Sequence, residues 1–211
     1  MSIVSWVTDS AKPRARAADK RRRLTTEAAR VLHEQGVERT TLADIARAAD
    51  VPVGNVYYYF KTKDELVMAA LSEHSAHLDE LTSRLDQLPD PRDRLKALVE
   101  AWIDQRDVAA RHGCPTGTLA VELDKRTDGT LDAQAGTVIR RLLEWAGHQF
   151  RALGLPDPDD LAVAFVSAYQ GMSLLANALR DPDIMMRQGA RLHRWLDSLD
   201  AGDQTGNSGA G

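Results

Sequence analysis

Residues 40–66 read TTLADIARAADVPVGNVYYYFKTKDEL, and the spacing within this stretch decides the fold. Leu42, Ile45 and Ala46 recur at helical intervals behind Thr40 and Thr41. Either threonine suits an N-cap, and Asp44 stands where a capping box would place its carboxylate. That helix runs to about Ala49, and Val51-Pro52 leads into a third helix over about 53–59. Two short helices joined by a tight turn form a DNA-reading helix-turn-helix when their inner faces are apolar. Leu42, Ile45 and Ala46 supply one inner face, and Val51, Val56 and Tyr57 the other, with Ala46 and Ala49 small enough for close approach. Gly54 and Asn55 open the second of these helices, where side chains meet base edges. Tyr58, Tyr59, Lys61 and Lys63 offer hydroxyl and ammonium donors to phosphate.

Helical periodicity continues on both sides, and no segment alternates as a strand does. The expected class is all-α: a three-helix amino-terminal domain on a body of about six helices. Residues 1–17, with Pro13 among Lys12, Arg14 and Arg16, read as a disordered basic arm. A first helix over 18–35 places Leu24, Ala28, Val31 and Leu32 on one face and stops at Gly36. The helix-turn-helix domain is expected over 18–62, the body over 63–200 and a disordered Gly/Ser/Asn-rich tail over 201–211. Within the body, helices are predicted at 63–85, 95–112, 116–125, 131–153, 159–180 and 183–200, with a turn at Thr127-Asp128-Gly129.

Charge is distributed unevenly. The chain carries −4 overall, but residues 1–64 hold 12 Lys/Arg against 8 Asp/Glu, a net +4, and the rest hold 15 against 23, a net −8. A basic end on an acidic body is the asymmetry expected when one module faces phosphate. The amino-terminal MSIVSWVTDS lacks a basic start and a long apolar run, and no stretch reads as a bilayer span. The expectation is a cytoplasmic protein without a membrane partner. One cysteine, Cys114, excludes an intramolecular disulfide and a Cys-rich metal site, and the histidines show no ligand pattern, so neither metal nor cofactor is expected.

The succession T-x-x-D-I-A, A-x-V, G-x-x-Y-x-Y-F and K-x-x-L behind an amphipathic first helix resembles the amino-terminal domain of the tetracycline-repressor-like (TetR) family, over residues 18–71. The resemblance implies a double-stranded DNA operator as partner. It implies a backbone-phosphate contact at Thr41, base-facing positions at Val53, Gly54 and Asn55, and phosphate contacts at Tyr58, Tyr59 and Lys63. Tyr57 would pack and also touch backbone, and Lys20 to Arg23 resemble the family's basic entry to the first helix. Val53 and Gly54 depart from a polar reader, leaving direct readout to Asn55 and to apolar contacts with thymine methyls.

The same resemblance implies a body that binds a small-molecule effector and dimerises through its last two long helices, here 159–180 and 183–200. Ala164, Ala168, Gly171 and Ala176 are small enough to let such helices approach. Trp102, Arg106, Glu122, Trp145, Gln149, Phe165, Tyr169 and Gln170 mix aromatic and polar groups on helices expected to converge, as ligand pockets do. The leading function is a repressor released from a palindromic operator by that effector, the alternative an activator or ligand-independent regulator of the same fold. Cys114, after Gly113 and before Pro115, is a small residue in a tight turn or an oxidant sensor. An enzyme built on Cys114 lacks a nucleophile motif, a phosphate loop and a metal signature, and is not expected.

Overall fold

The computed structural model describes residues 11–125 and 131–200. Among them the chain forms α1 (Ala11–Gln35), α2 (Leu42–Ala48), α3 (Val53–Tyr59), α4 (Lys63–Leu85), α5 (Pro91–Asp104), α6 (Arg106–His112), α7 (Pro115–Asp124), α8 (Leu131–Ala152), α9 (Pro158–Leu179) and α10 (Asp183–Ser198), and no strand. The 201–211 tail, the Thr127-Asp128-Gly129 turn and the first ten residues of the expected arm lie outside the described residues.

Two expectations about helices change. α1 begins at Ala11, so residues 11–17 are helix, not arm. Pro13 falls in the first turn, where a missing N–H costs nothing, and the alanines and arginines around it are strong helix formers. The helix expected to run through to His112 is divided at Gln105, whose N–H bonds back to Ile103 and Trp102, so the body carries one helix more than its apolar spacing suggests. Neither glycine nor proline marks that break.

The chain divides into two compact units: residues up to Ser75 together with Leu119–Ala135, and Ala76–Thr118 together with residues from Gly136 onward. By this division α4 is shared between the units, and most of α7 with the first turn of α8 belongs with the amino-terminal unit. The reason is burial. Leu66, Val67, Ala70 and Leu71 of α4, Leu119 and Leu123 of α7, and Leu131 and Ala135 of α8 share one core with Leu24, Ala28, Val31 and Leu32 of α1. Ile45 and Ala46 of α2, Val56 of α3 and Phe60 complete it.

The second unit packs α5, α6, α8, α9 and α10 around Leu95, Leu98, Trp102, Phe150, Phe165, Met185 and Leu196. Asn177 Nδ2 and Arg180 Nη1 each donate to the carbonyl of Ala110 at 3.2 Å, supplying partners for the last turn of α6. α9 is long and apolar enough by composition to cross a membrane, against the expectation that no stretch is. Its alanines, valines and leucines reach that level because they cover two faces. Phe165, Val166, Met172 and Ala176 are buried, while Val163, Leu174, Leu175 and Leu179 are each more than half exposed.

Candidate DNA interface and effector site

α2 starts on Thr41. Its hydroxyl accepts from Asp44 N–H at 3.2 Å, and the Asp44 carboxylate accepts from Thr41 N–H at 3.0 Å, completing the capping box. The Thr41 hydroxyl also donates to Asp44 Oδ2 at 2.5 Å. These bonds from Thr41, reinforced by Arg47, hold the Asp44 carboxyl below its ordinary range. Thr40 next to it is buried and donates to the Gly36 carbonyl at 2.7 Å. The two adjacent threonines therefore divide the work: one anchors the α1–α2 loop and the other caps.

The turn between α2 and α3 is made by Asp50 in the left-handed region, at φ 52°. Aspartate tolerates this conformation better than most residues. Arg23 of α1 holds the turn from outside, donating to the carbonyls of Ala49 and Asp50 and to the Asp50 carboxylate. α3 then buries Val56 completely and leaves Val53 (44%), Tyr57 (52%) and Tyr58 (73%) exposed. Tyr57 was expected to face inward. Instead Tyr59 is the half-buried tyrosine against the core, with Tyr58 edge-on to it at 5.0 Å between ring centroids, and Phe60 is the buried aromatic.

Gly54 has an ordinary helical backbone, and a Cβ placed there meets nothing within 4 Å. Asn55 beside it is half-buried. Of the lysines, Lys63 reaches across to the carbonyl of Glu38 at 3.3 Å, and Lys61 folds back onto the Tyr57 carbonyl at 2.9 Å. Val53, Gly54, Tyr57 and Tyr58 therefore form one outward surface, with Thr41 exposed at the start of α2.

Glu122 does not stand with the effector candidates. It belongs to the amino-terminal unit, where its Oε2 accepts the Val37 N–H at 2.5 Å. It lies so close over Gly36, at φ 82°, that a Cβ there would be 2.8 Å from Oε1. Its type and helical position suggested a pocket, but a turn backbone had already claimed the carboxylate. Gly36→Ala is expected to destabilise the protein by about 2 kcal/mol, combining left-handed strain with the clash. In a Glu122→Ala background that cost should fall to about 1 kcal/mol, the strain alone. Additive costs in thermal or urea unfolding would show that the two residues do not meet.

The remaining candidates fall into two groups within the second unit. Trp102 stacks on Tyr169 at 4.2 Å between centroids and 16° between planes, and lies 5.0 Å from Phe165. Gln170 points its amide at Cys114 Sγ at 3.6 Å, and the Gly117 N–H donates to the same sulfur at 3.3 Å. Burial pushes the Tyr169 hydroxyl well above the ordinary phenol range, with the neighbouring Cys114 adding to the shift. Arg106 donates to the Ile103 carbonyl one turn back at 3.3 Å.

Trp145 and Gln149 form the other group. The Trp145 indole donates to Asp86 at 3.0 Å, and Gln149 is buried and accepts from Arg94 at 3.2 Å. An open groove of about 640 Å³ in the amino-terminal unit, with Tyr59, Phe60, Met68 and Ala69 among its walls, includes none of the eight effector candidates.

A family model described as bacterial regulatory proteins, tetR family, matches residues 24–70, and one described as the tetracyclin repressor-like C-terminal domain matches residues 91–191. A probable HTH-type transcriptional regulator of Pseudomonas putida, ArpR, is 30% identical over 86% of this chain and 90% of its own length. The chain belongs to the TetR family.

It is accordingly a DNA-binding transcriptional regulator and not an enzyme. An uncharacterized HTH-type regulator of Mycobacterium tuberculosis is 28% identical over 76% of this chain and 86% of its own length. A regulatory protein TetR from Rhodobacter sphaeroides superposes with a TM-score of 0.72 at 27% identity, over 82% of this chain and 96% of that one. A TetR-family regulator from Agrobacterium tumefaciens reaches 0.76 over 88% and 100% at 20% identity, which speaks for the fold alone.

Within this TetR-family chain, sequence reasoning missed the turn residue Asp50 and the core residue Phe60, and it grouped Arg23 with the basic entry to α1 without assigning it to the α2–α3 turn. An aspartate between two short helices is a signal for a left-handed turn. Phe60 lies four residues after Val56, on the same helical face, and that spacing marked it as core.

Proposed function

We propose that this TetR-family regulator is a homodimeric repressor, holding a palindromic operator with α3 of each protomer and leaving it when a small molecule occupies the body. The observation that carries the reading is α3 itself. A seven-residue helix fixed through fully buried Val56 turns Val53, Gly54, Tyr57 and Tyr58 outward. Asn55 and the Val53 methyls would read base edges, while Thr41, Tyr57, Tyr58, Tyr59 and Lys63 would hold phosphates. The exposed apolar residues of α9, with Met186 of α10, supply the surface for pairing. Of the small residues expected at that interface, Ala164 and Gly171 face outward, whereas Ala176 is buried in the protomer's own core. Pairing would set two α3 helices about one DNA turn, roughly 34 Å, apart.

The effector site is proposed around Trp102, Phe165, Tyr169, Gln170 and Arg106, an aromatic wall with an amide and a guanidinium at its edge. Trp145 and Gln149, tied to Asp86 and Arg94, would support the neighbouring helices. Release requires the effector to bind the DNA-free arrangement more tightly than the DNA-bound one.

The test starts from duplexes that the full-length protein selects out of a random-sequence library. Tyr58→Phe should weaken all selected duplexes alike, by about fivefold for one lost hydrogen bond. Asn55→Ala should relax preference at one base pair per half-site, a discrimination of about 1–3 kcal/mol. Unchanged affinity and unchanged preference in both variants would remove α3 as the reader. A metabolite and drug screen that never dissociates the complex would remove the effector from the mechanism.

A further inference from the structure

Residues 11–23 of α1 precede Leu24, the first buried side chain among those described on that helix. They extend about 20 Å at 1.5 Å per residue. The family match begins at residue 24, so this overhang lies outside what the family model recognises. It carries seven Lys/Arg against a single acid, Asp19, and Arg22 occupies that acid at 2.7 Å. Arg16, Lys20 and Arg23 follow one another at intervals of four and three, which puts them in a row on one face. Arg16 and Lys20 hold no ion pair or hydrogen bond among the described residues.

Like charges at this spacing weaken a helix by a few tenths of a kcal/mol per pair, and nothing in the core offsets that. The position of the row supplies a reason for it. Arg23 closes it on the Ala49–Asp50 turn that follows α2 and leads to α3, and Arg21 sets its guanidinium 5.3 Å over the Phe60 ring at the end of α3. The overhang therefore leaves the unit beside the reader helix. The rise of about 6 Å from Arg16 to Lys20 exceeds the roughly 3.4 Å of duplex axis per phosphate of one strand, so the two cations can face different phosphates.

We propose that the row Arg16–Lys20–Arg23 is a second DNA contact, which tracks phosphates flanking the base pairs read by α3 and adds affinity without sequence preference. The inference rests on α3 being the DNA reader. Flanking contact of this kind also fits a reader whose own polar groups are few. Each occupied phosphate releases counterions, so the contact is visible in the salt dependence of binding.

The experiment measures full-length protein and Arg16→Ala/Lys20→Ala by fluorescence anisotropy across a salt series. The probes are library-selected duplexes with a helical turn of flanking sequence at each end, and the same duplexes trimmed to the core site. On flanked duplexes the variant should lose about two units of salt slope per protomer and about tenfold in affinity. The ratio between selected and scrambled cores should stay unchanged, and the difference from the unmodified protein should vanish on trimmed duplexes. Arg16→Lys/Lys20→Arg, which keeps both charges, should restore the slope.

Alanine favours helix, so equal circular dichroism and melting temperature are expected. If the slope on flanked duplexes is unaltered with the fold intact, the proposal is overturned. It is equally overturned if the core-sequence ratio shifts instead, or if only the sedimenting mass changes, which would assign the row to contact between copies of the chain. Failure of the unmodified protein to select any duplex would defeat the α3 reading itself, a result distinct from a variant that binds like its parent.

Discussion

Val56→Asp is expected to abolish DNA binding at protein concentrations that saturate the unmodified chain. Val56 has no exposed surface and belongs to the core that α3 shares with α1, α2 and α4. An unpaired carboxylate there costs several kcal/mol, a large part of the roughly 5–15 kcal/mol that stabilises a domain. α3 has only seven residues and no side-chain cap, so it has no means of persisting once its buried face is lost. The second unit has its own core and should stay folded. Circular dichroism should therefore show a partial loss of helix and a surviving cooperative transition. Val56→Ile, which keeps the apolar contact, should retain DNA binding. Native-like operator affinity in Val56→Asp would mean that α3 is not held as described.

The second large effect concerns α9. Leu174→Glu/Leu175→Glu places two carboxylates on the exposed apolar face of that helix. The single chain should tolerate them, since surface changes away from special features cost about 0.5 kcal/mol or less. A paired face would not, because like charges would meet across a two-fold axis in a desolvated contact. Sedimentation should move from dimer to monomer. Affinity for a palindromic duplex should fall by about 100-fold or more as the two half-sites cease to be bound together, while a single half-site is bound as before. A variant that remains dimeric would place the subunit contact elsewhere.

How far the sequence revealed this arrangement depended on whether a residue's role is local. The α2–turn–α3 segment was legible because Thr41, Asp44, Ile45, Pro52 and Val56 act through capping, φ restriction and helical spacing, all of which operate within a few residues. The start of α1 was misread because Pro13 breaks a helix in its interior but not in its first turn. Tyr57 and Tyr59 were exchanged because three consecutive tyrosines give no signal of their own, and only the position of the core decides which one turns in. Glu122 was misplaced for a different reason. Its partner is the backbone of Val37, 85 positions away in the chain, and a main-chain donor leaves no mark in a sequence. The effector candidates separate into two groups by the same logic, since Asp86 and Arg94 claim Trp145 and Gln149 through tertiary contacts.

The open space around Gly54 bears on how a regulator of this kind can change its targets. Most positions in a short helix trade stability against novelty, because a new side chain must displace something. At Gly54 there is nothing to displace, and almost any replacement except proline gains up to about 1 kcal/mol of helix propensity. New recognition chemistry can therefore be tried at this position without weakening the fold, in laboratory selection as in evolution. In a duplicated gene, the route from one set of target promoters to another would then begin at a single codon.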